Sequence, residues 1–130
     1  MTKDPVVYII DDDEAVLRSL AMLLTTEGFT VDAHRGSRTF FAACGANPRG
    51  CLVADMTLEG ENGLDVQRKM RDAGILMPII FITGWENAAL TQRATAAGAF
   101  AFFNKPTDAN ELLDAIRRAL AKDAERSTGG

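Results

Sequence analysis

Five polar residues of this chain have the types and spacing of a reagent set: Asp11 and Asp12, Asp55, Thr83 and Lys105. Each lies just past an apolar run. Val6-Val7-Tyr8-Ile9-Ile10 ends in Asp11-Asp12-Asp13, Cys51-Leu52-Val53-Ala54 in Asp55, Ile79-Ile80-Phe81-Ile82 in Thr83, and Phe100-Ala101-Phe102-Phe103 in Asn104-Lys105. Clustered carboxylates repel one another, and a cation between them removes the conflict. Oxygen-only donors favour a hard ion, and Mg²⁺ takes one or two carboxylates while keeping positions for water and phosphoryl oxygen. Asp12 and Asp55 are the expected direct ligands, with Asp11 acting through water. Asp55 stands alone after its run, where its carboxylate can attack phosphorus, as carboxylates do in enzymes that form aspartyl phosphates. Phosphoryl transfer asks mainly for positioning and charge neutralisation. Mg²⁺ and the Lys105 ammonium would offset the phosphoryl oxygens, and the Thr83 hydroxyl would donate a hydrogen bond to one of them. Gly84 is expected to leave space for the incoming group, and Lys105-Pro106 is a candidate cis bond. Asp13 and Glu14 read instead as residues of a helix's first turn.

For these residues to meet, the four runs must lie parallel. Continuous apolar runs of this length suit strands buried on both faces of a parallel sheet, and ligands of such sheets bind outside the carboxyl ends of the strands. Helical patterns between the runs complete a β, α, β, α order with right-handed crossovers. Val16, Leu17, Leu20, Leu23 and Leu24 recur at helical spacing, with Gly28 as the stop. Residues 29–33 alternate apolar and polar, as in an edge strand, and Gly36 to Cys44 reads as a short helix. A polar turn over residues 57–62 leads to a helix capped by Asn62 that runs through Met70. Asn87 is placed to cap the next helix, whose alanine-rich face predicts loose anchoring. Asp108 and Glu111 have capping-box spacing before the stripe of Leu112, Leu113, Ile116 and Leu120. Residues 1–121 are expected to form one domain, with 122–130 a fraying polar tail or the start of a linker.

Composition narrows the classes. A chain of 130 residues holds one domain with a real core. A net charge of −4 with no basic stripe argues against direct nucleic-acid binding. No apolar stretch approaches the roughly 20 residues of a membrane span, and the N-terminus shows no leader pattern, so a cytoplasmic location without membrane contact is expected. Cys44 and Cys51 lack CxxC spacing and read as reduced, buried thiols. His34, at the end of the edge strand, reads as a solvated histidine.

From Val6 to Leu120 the sequence closely resembles the receiver domain of bacterial two-component response regulators, most of all receivers that precede LuxR-type DNA-binding domains. The resemblance rests on Val-Tyr-Ile-Ile-Asp11-Asp12-Asp13, the Asp55 strand with its loop to Gly63-Leu64, Phe-Ile-Thr83-Gly84, and Gly98 through Pro106. It implies a flavodoxin-like, doubly wound five-stranded parallel sheet in order 2-1-3-4-5 with five helices. It also implies Mg²⁺-dependent transfer from the phosphohistidine of a sensor histidine kinase to Asp55, followed by slow self-hydrolysis. By position, Asp11 and Asp12 match the acidic pair, Thr57 a backbone metal ligand, Thr83 the phosphate-sensing hydroxyl, Lys105 the lysine and Phe102 the switch aromatic. Movement of Thr83 and Phe102 would reshape the face made by the fourth helix, fifth strand and fifth helix, and so control an effector or a phosphorylation-dependent dimer. Phe at 102 in place of the frequent Tyr cannot hydrogen-bond, so packing alone must hold its rotamers. Glu59 stands where Pro is common, Ala101 where Asp is common, and Trp85 where a smaller residue or His is usual. Thr57 and Trp85 are the positions expected to tune phosphoryl lifetime, Trp85 by screening Asp55 from water. Two other readings stay open at this level: a constitutive interaction module whose acids serve Mg²⁺ binding or stability, and a phosphatase with an aspartyl-phosphate intermediate. Against the phosphatase, Thr57 occupies the place two residues after Asp55 where a second acid would be needed.

Overall fold

The computed structural model describes residues 4–84 and 88–128. Strands β1 (Val6–Ile10), β2 (Val31–His34), β3 (Gly50–Asp55), β4 (Ile79–Thr83) and β5 (Ala101–Asn104) alternate with helices α1 (Glu14–Thr26), α2 (Ser37–Cys44), α3 (Gly63–Asp72), α4 (Ala88–Ala96) and α5 (Ala109–Thr128). A two-stranded hairpin of Thr57–Leu58 and Glu61–Asn62 intervenes between β3 and α3. The sheet runs in order 2-1-3-4-5, the flavodoxin-like order, and every neighbouring pair is parallel.

Side-chain alternation explains why the runs are apolar throughout. Tyr8, Ile10, Leu52, Ala54 and Phe81 face Phe40, Val66, Met70 and Ala94 of α2, α3 and α4. Val7, Ile9, Cys51, Val53, Ile80 and Ile82 face Leu17, Leu24, Leu112 and Ile116 of α1 and α5. Both faces of the sheet are therefore covered, and all six residues of β3 are buried. Cys44 and Cys51 are free and buried, and burial, with Asp123 adding to it, pushes the Cys51 thiol up to about 12.

The helix starts are chemical as well as periodic. Asp13 caps α1, accepting from Ala15 N and Val16 N at 3.0 and 3.2 Å. Asn62 and Asp65 close a reciprocal capping box on α3, and Asp108 accepts from Glu111 N at 3.1 Å. Gly63 permits α3 to begin close to the sheet: a Cβ there would lie 2.6 Å from Phe81 Cε1 and 2.9 Å from Met56 Sδ. Within α4, Ala94 is the buried residue among those described, in keeping with loose anchoring. The expected Asn87 cap lies outside the described residues.

Four features differ from the sequence reading. Strand β2 begins at Val31 rather than Phe29, because Phe29 N donates to Leu24 O and completes the end of α1. The polar turn after Asp55 is a hairpin. His34 is not solvated: its side chain is 9% exposed and stacks edge-on against Phe40. Its Nδ1 lies 2.9 Å from Thr39 Oγ1, and its Nε2 is 3.2 Å from Asp32 without hydrogen-bond alignment. Finally, α5 does not fray after Ala121 but continues to Thr128, past a fully buried Asp123 carboxylate.

Asp123 holds the foot of α5 to the start of β3. It accepts from Gly50 N at 2.8 Å, Arg49 Nε at 3.0 Å, and Arg126 Nη2 and Nε at 2.6 and 3.0 Å. Burial acts to raise its pKa, but the bonds from Arg126, Gly50 and Arg49 outweigh it and hold the acid below the ordinary carboxylate value. The stability it contributes is thus present above that ordinary value and lost as pH falls through the depressed one. Asp123→Ala should cost about 3 kcal/mol in urea unfolding at neutral pH, because it strands two guanidinium groups and an N–H. A loss no greater than the about 0.5 kcal/mol of a surface substitution would contradict the arrangement.

Candidate functional site

Register brings the predicted residues to one edge. Ile10 pairs with Ala54, so Asp11 follows β1 beside Asp55 at the end of β3. Asp55 pairs with Ile82, Ile82 with Phe103, and Thr83 with Asn104. Lys105 N donates to Thr83 O at 2.7 Å, which continues the ladder one residue past β5. Lys105 therefore leaves the sheet next to the acids. Its Nζ donates to Asp55 Oδ2 at 2.9 Å and lies 3.6 Å from Asp11 Oδ2.

Each carboxylate also has a backbone partner. Asp11 Oδ1 accepts from Asp13 N at 2.9 Å, Asp55 Oδ1 from Thr57 N at 2.9 Å, and Asp12 Oδ2 from Glu59 N at 2.7 Å. Asp11, Asp55 and Thr83 are buried, at 5%, 9% and 3% exposure, whereas Asp12 and Lys105 are half-buried and Thr57 is exposed. The Lys105-Pro106 bond is cis. Gly84 borders the site, and a Cβ there would meet Lys105 Cδ at 3.8 Å, an ordinary contact.

Electrostatics here is a contest between burial and pairing. Burial raises the Asp11 pKa, Asp55 and Asp12 add to the rise, and the Asp13 N–H and Lys105 only partly offset it. Burial acts to lower the Lys105 pKa, but Asp55 first and then Asp11 more than reverse it. One ammonium is thus stabilised by two acids, while the deeper acid is not fully satisfied by one ammonium.

Among the described residues, no three His, Cys, Asp or Glu side chains are grouped to hold a metal ion as they stand. Lys105 occupies Asp55 and approaches Asp11, and Asp12 is held by Glu59 N. In kind, the donors Asp11, Asp12 and Asp55 fit a hard divalent ion, since they offer carboxylate oxygen and neither nitrogen nor sulfur. The upward shift of Asp11 is the conflict such an ion would relieve.

Of the two apolar candidates, Phe102 stands at the rim. Phe102 is half-buried on β5, its ring 5.9 Å from that of Phe81. It lines a groove of about 440 Å³ with Ala88, Thr91, Gln92 and Asn104, between β5 and α4. Trp85 lies outside the described residues. Two neighbours were not foreseen from the sequence: Glu59, through its N–H, and Glu61, whose carboxylate accepts from Ser37 Oγ at 2.7 Å. Gly60 marks a turn there, but a backbone N–H carries no residue signature that could have pointed to Asp12.

Residues 7–117 match the family model of the response regulator receiver domain. The response regulator protein TodT of Pseudomonas putida is 41% identical over 115 residues, covering 88% of this chain and 51% of TodT. The transcriptional regulatory protein FixJ of Azorhizobium caulinodans is 36% identical, covering 92% of this chain and 57% of FixJ. The chain spans about half the length of the curated relatives it matches. Among solved structures, the response regulator StyR superposes with a TM-score of 0.91 at 36% identity, covering 98% of this chain and 64% of that one. The N-terminal piece of FixJ superposes at 0.83 with 35% identity, covering 92% and 96%. No described helix is long and apolar enough to cross a membrane.

The raised pKa of Asp11 has a direct consequence. Protonation of Asp11 favours the folded state, and that stability is lost as pH rises through the raised value. Asparagine has the shape of the protonated acid. Asp11→Asn should therefore raise the urea midpoint at neutral pH without Mg²⁺, with an unchanged slope; a lower midpoint would contradict the account.

Proposed function

The chain belongs to the response regulator receiver domain family of two-component systems, and from that premise we propose that Asp55 accepts a phosphoryl group from the phosphohistidine of a sensor histidine kinase. The observation that carries the reading is the Lys105 ammonium 2.9 Å from the Asp55 carboxylate at the carboxyl edge of the sheet. An Asp55 oxygen attacks phosphorus, the P–N bond breaks, and its electron pair returns to the imidazole nitrogen. Lys105 balances the carboxylate before transfer and a phosphoryl oxygen after it, which requires only a short shift of Nζ. The Thr57 N–H holds Oδ1 and so fixes the direction in which Asp55 faces the incoming group. Asp12, Asp55 and the Thr57 carbonyl would hold Mg²⁺, with Asp11 acting through water. When bound, that ion supplies charge neutralisation and orientation of the phosphoryl oxygens.

Thr83 then senses the new oxygens through its hydroxyl, and Phe102 responds by packing. The face of α4, β5 and α5 changes and controls a partner, which is either a second copy or an effector. The sparse burial of α4 supports its part as the moving element. Resemblance to FixJ, named a transcriptional regulatory protein, supports a LuxR-type DNA-binding domain as that effector. Thr57 and Trp85 set how long the phosphoryl group lasts. The protein acts in the cytoplasm as a switch and not as an enzyme with turnover, catalysing only its own phosphorylation and slow dephosphorylation.

Incubation with Mg²⁺ and acetyl phosphate should add one phosphoryl group by intact-protein mass, removable by hydroxylamine. Asp55→Asn should add none, and Lys105→Ala should slow the gain about 100-fold, the usual order for loss of a charge-stabilising donor. Equal labelling of wild type and Asp55→Asn would overturn the reading.

A further inference from the structure

Glu59 N donates to Asp12 Oδ2 at 2.7 Å, across 47 residues of sequence. Glu59 and Gly60 are the two central residues of the hairpin whose strands pair Leu58 with Glu61 and Thr57 with Asn62. The φ of Gly60, +81°, is what the third position of a type II turn demands. Glu59 is the second position of that turn, and its N–H goes to Asp12. The hairpin is tethered on its other side. Ser37 Oγ lies 2.7 and 2.8 Å from the Glu61 carboxylate oxygens, and Lys69 Nζ is 3.7 Å from one of them. Ser37 is itself buried at the start of α2, so the hairpin is pinned between α2, α3 and Asp12.

We propose that the Glu59 N–H competes with the divalent cation for Asp12, so that the hairpin sets the cation affinity of the site. The inference rests on the cation reading given above and adds a positioning residue to it. As held, the acidic side chains among the described residues are not grouped for an ion, and release of Asp12 from Glu59 lets it turn toward Asp55. Cation binding therefore exchanges one charge-assisted hydrogen bond for metal coordination. The effect belongs to the backbone and not to the Glu59 carboxylate. Proline is the one residue that deletes the donor. It is favoured at the second position of a type II turn, and the extended Leu58 before it meets the demand proline places on its predecessor.

Calorimetric titration of Mg²⁺ into wild type, Glu59→Ala, Glu59→Pro and Asp12→Asn separates the possibilities. Alanine removes the side-chain charge and keeps the N–H, whereas proline removes the N–H as well. Glu59→Pro should bind Mg²⁺ about tenfold more tightly than Glu59→Ala, the shift expected from a hydrogen bond to a charged group, and Asp12→Asn should bind most weakly. Equal or weaker binding by Glu59→Pro than by Glu59→Ala, with wild type binding Mg²⁺, overturns this inference alone. Wild type that binds no Mg²⁺ overturns the cation reading and the inference together. A second readout needs no variant: the Glu59 amide proton, deshielded by the carboxylate, should move upfield as Mg²⁺ saturates wild type, and a static resonance overturns the proposal.

Discussion

Two carboxylates buried side by side at the carboxyl edge of a parallel sheet share one ammonium, and much of the molecule is arranged around that shortage of positive charge. Asp11 and Asp55 are adjacent because β1 and β3 are parallel neighbours in register, Ile10 beside Ala54. Lys105 reaches both because β4 and β5 extend the same ladder and Lys105 N bonds Thr83 O. Were any of these pairings to slip by one residue, alternation would turn the acids into an apolar core. The two cores, one on each face, fix that register and so fix the distance between charges. Burial keeps the dielectric low, which strengthens the Lys105 contacts and also makes the unmet charge of Asp11 costly.

Under the proposed function, that cost is the source of switching energy. A site that holds more negative charge than it can neutralise gains from a cation, and in the proposed reaction a phosphoryl group would then redistribute the same few contacts. The response need not be large, since allosteric coupling is typically about 1–3 kcal/mol. Helix α4 is suited to so small a bias because it buries little, while α5 is secured along its apolar stripe and again at Asp123. The described face thus combines one weakly held element with one that is firmly held. Phe102 sits between them on β5, half-buried and in contact with Phe81, where a rotamer change is cheaper than in the closed core.

Much of this was legible in the sequence because it depends on local rules. Apolar runs serving two faces announce parallel strands, and the polar residue after each run announces the edge. Asp13, Asn62 and Asp108 cap helices for reasons confined to one turn of chain. What escaped depends on distant partners. Asp123 reads as one more polar residue near a chain end, yet its ion-pair partner Arg49 lies 74 residues away. His34 looked solvated because neither Phe40 nor Thr39 is marked in the sequence as its neighbour. Phe29 fits the alternation of a strand, but the end of α1 claims its N–H first. Among the candidate site residues, type and spacing pointed to Asp11, Asp12, Asp55, Thr83 and Lys105, while the Glu59 contact is made by a backbone group and leaves no trace in composition or spacing.

The central claim is that Asp55, and neither of its acidic neighbours, takes the phosphoryl group. Borohydride converts an aspartyl phosphate to homoserine and leaves free carboxylates intact, so trapping after brief exposure to Mg²⁺ and a small phosphodonor marks the acceptor itself. Peptide mapping by tandem mass spectrometry should find homoserine at position 55 in a Mg²⁺-dependent yield. Homoserine at position 11 or 12, or none at 55 when the intact protein carries a phosphoryl group, would contradict the account.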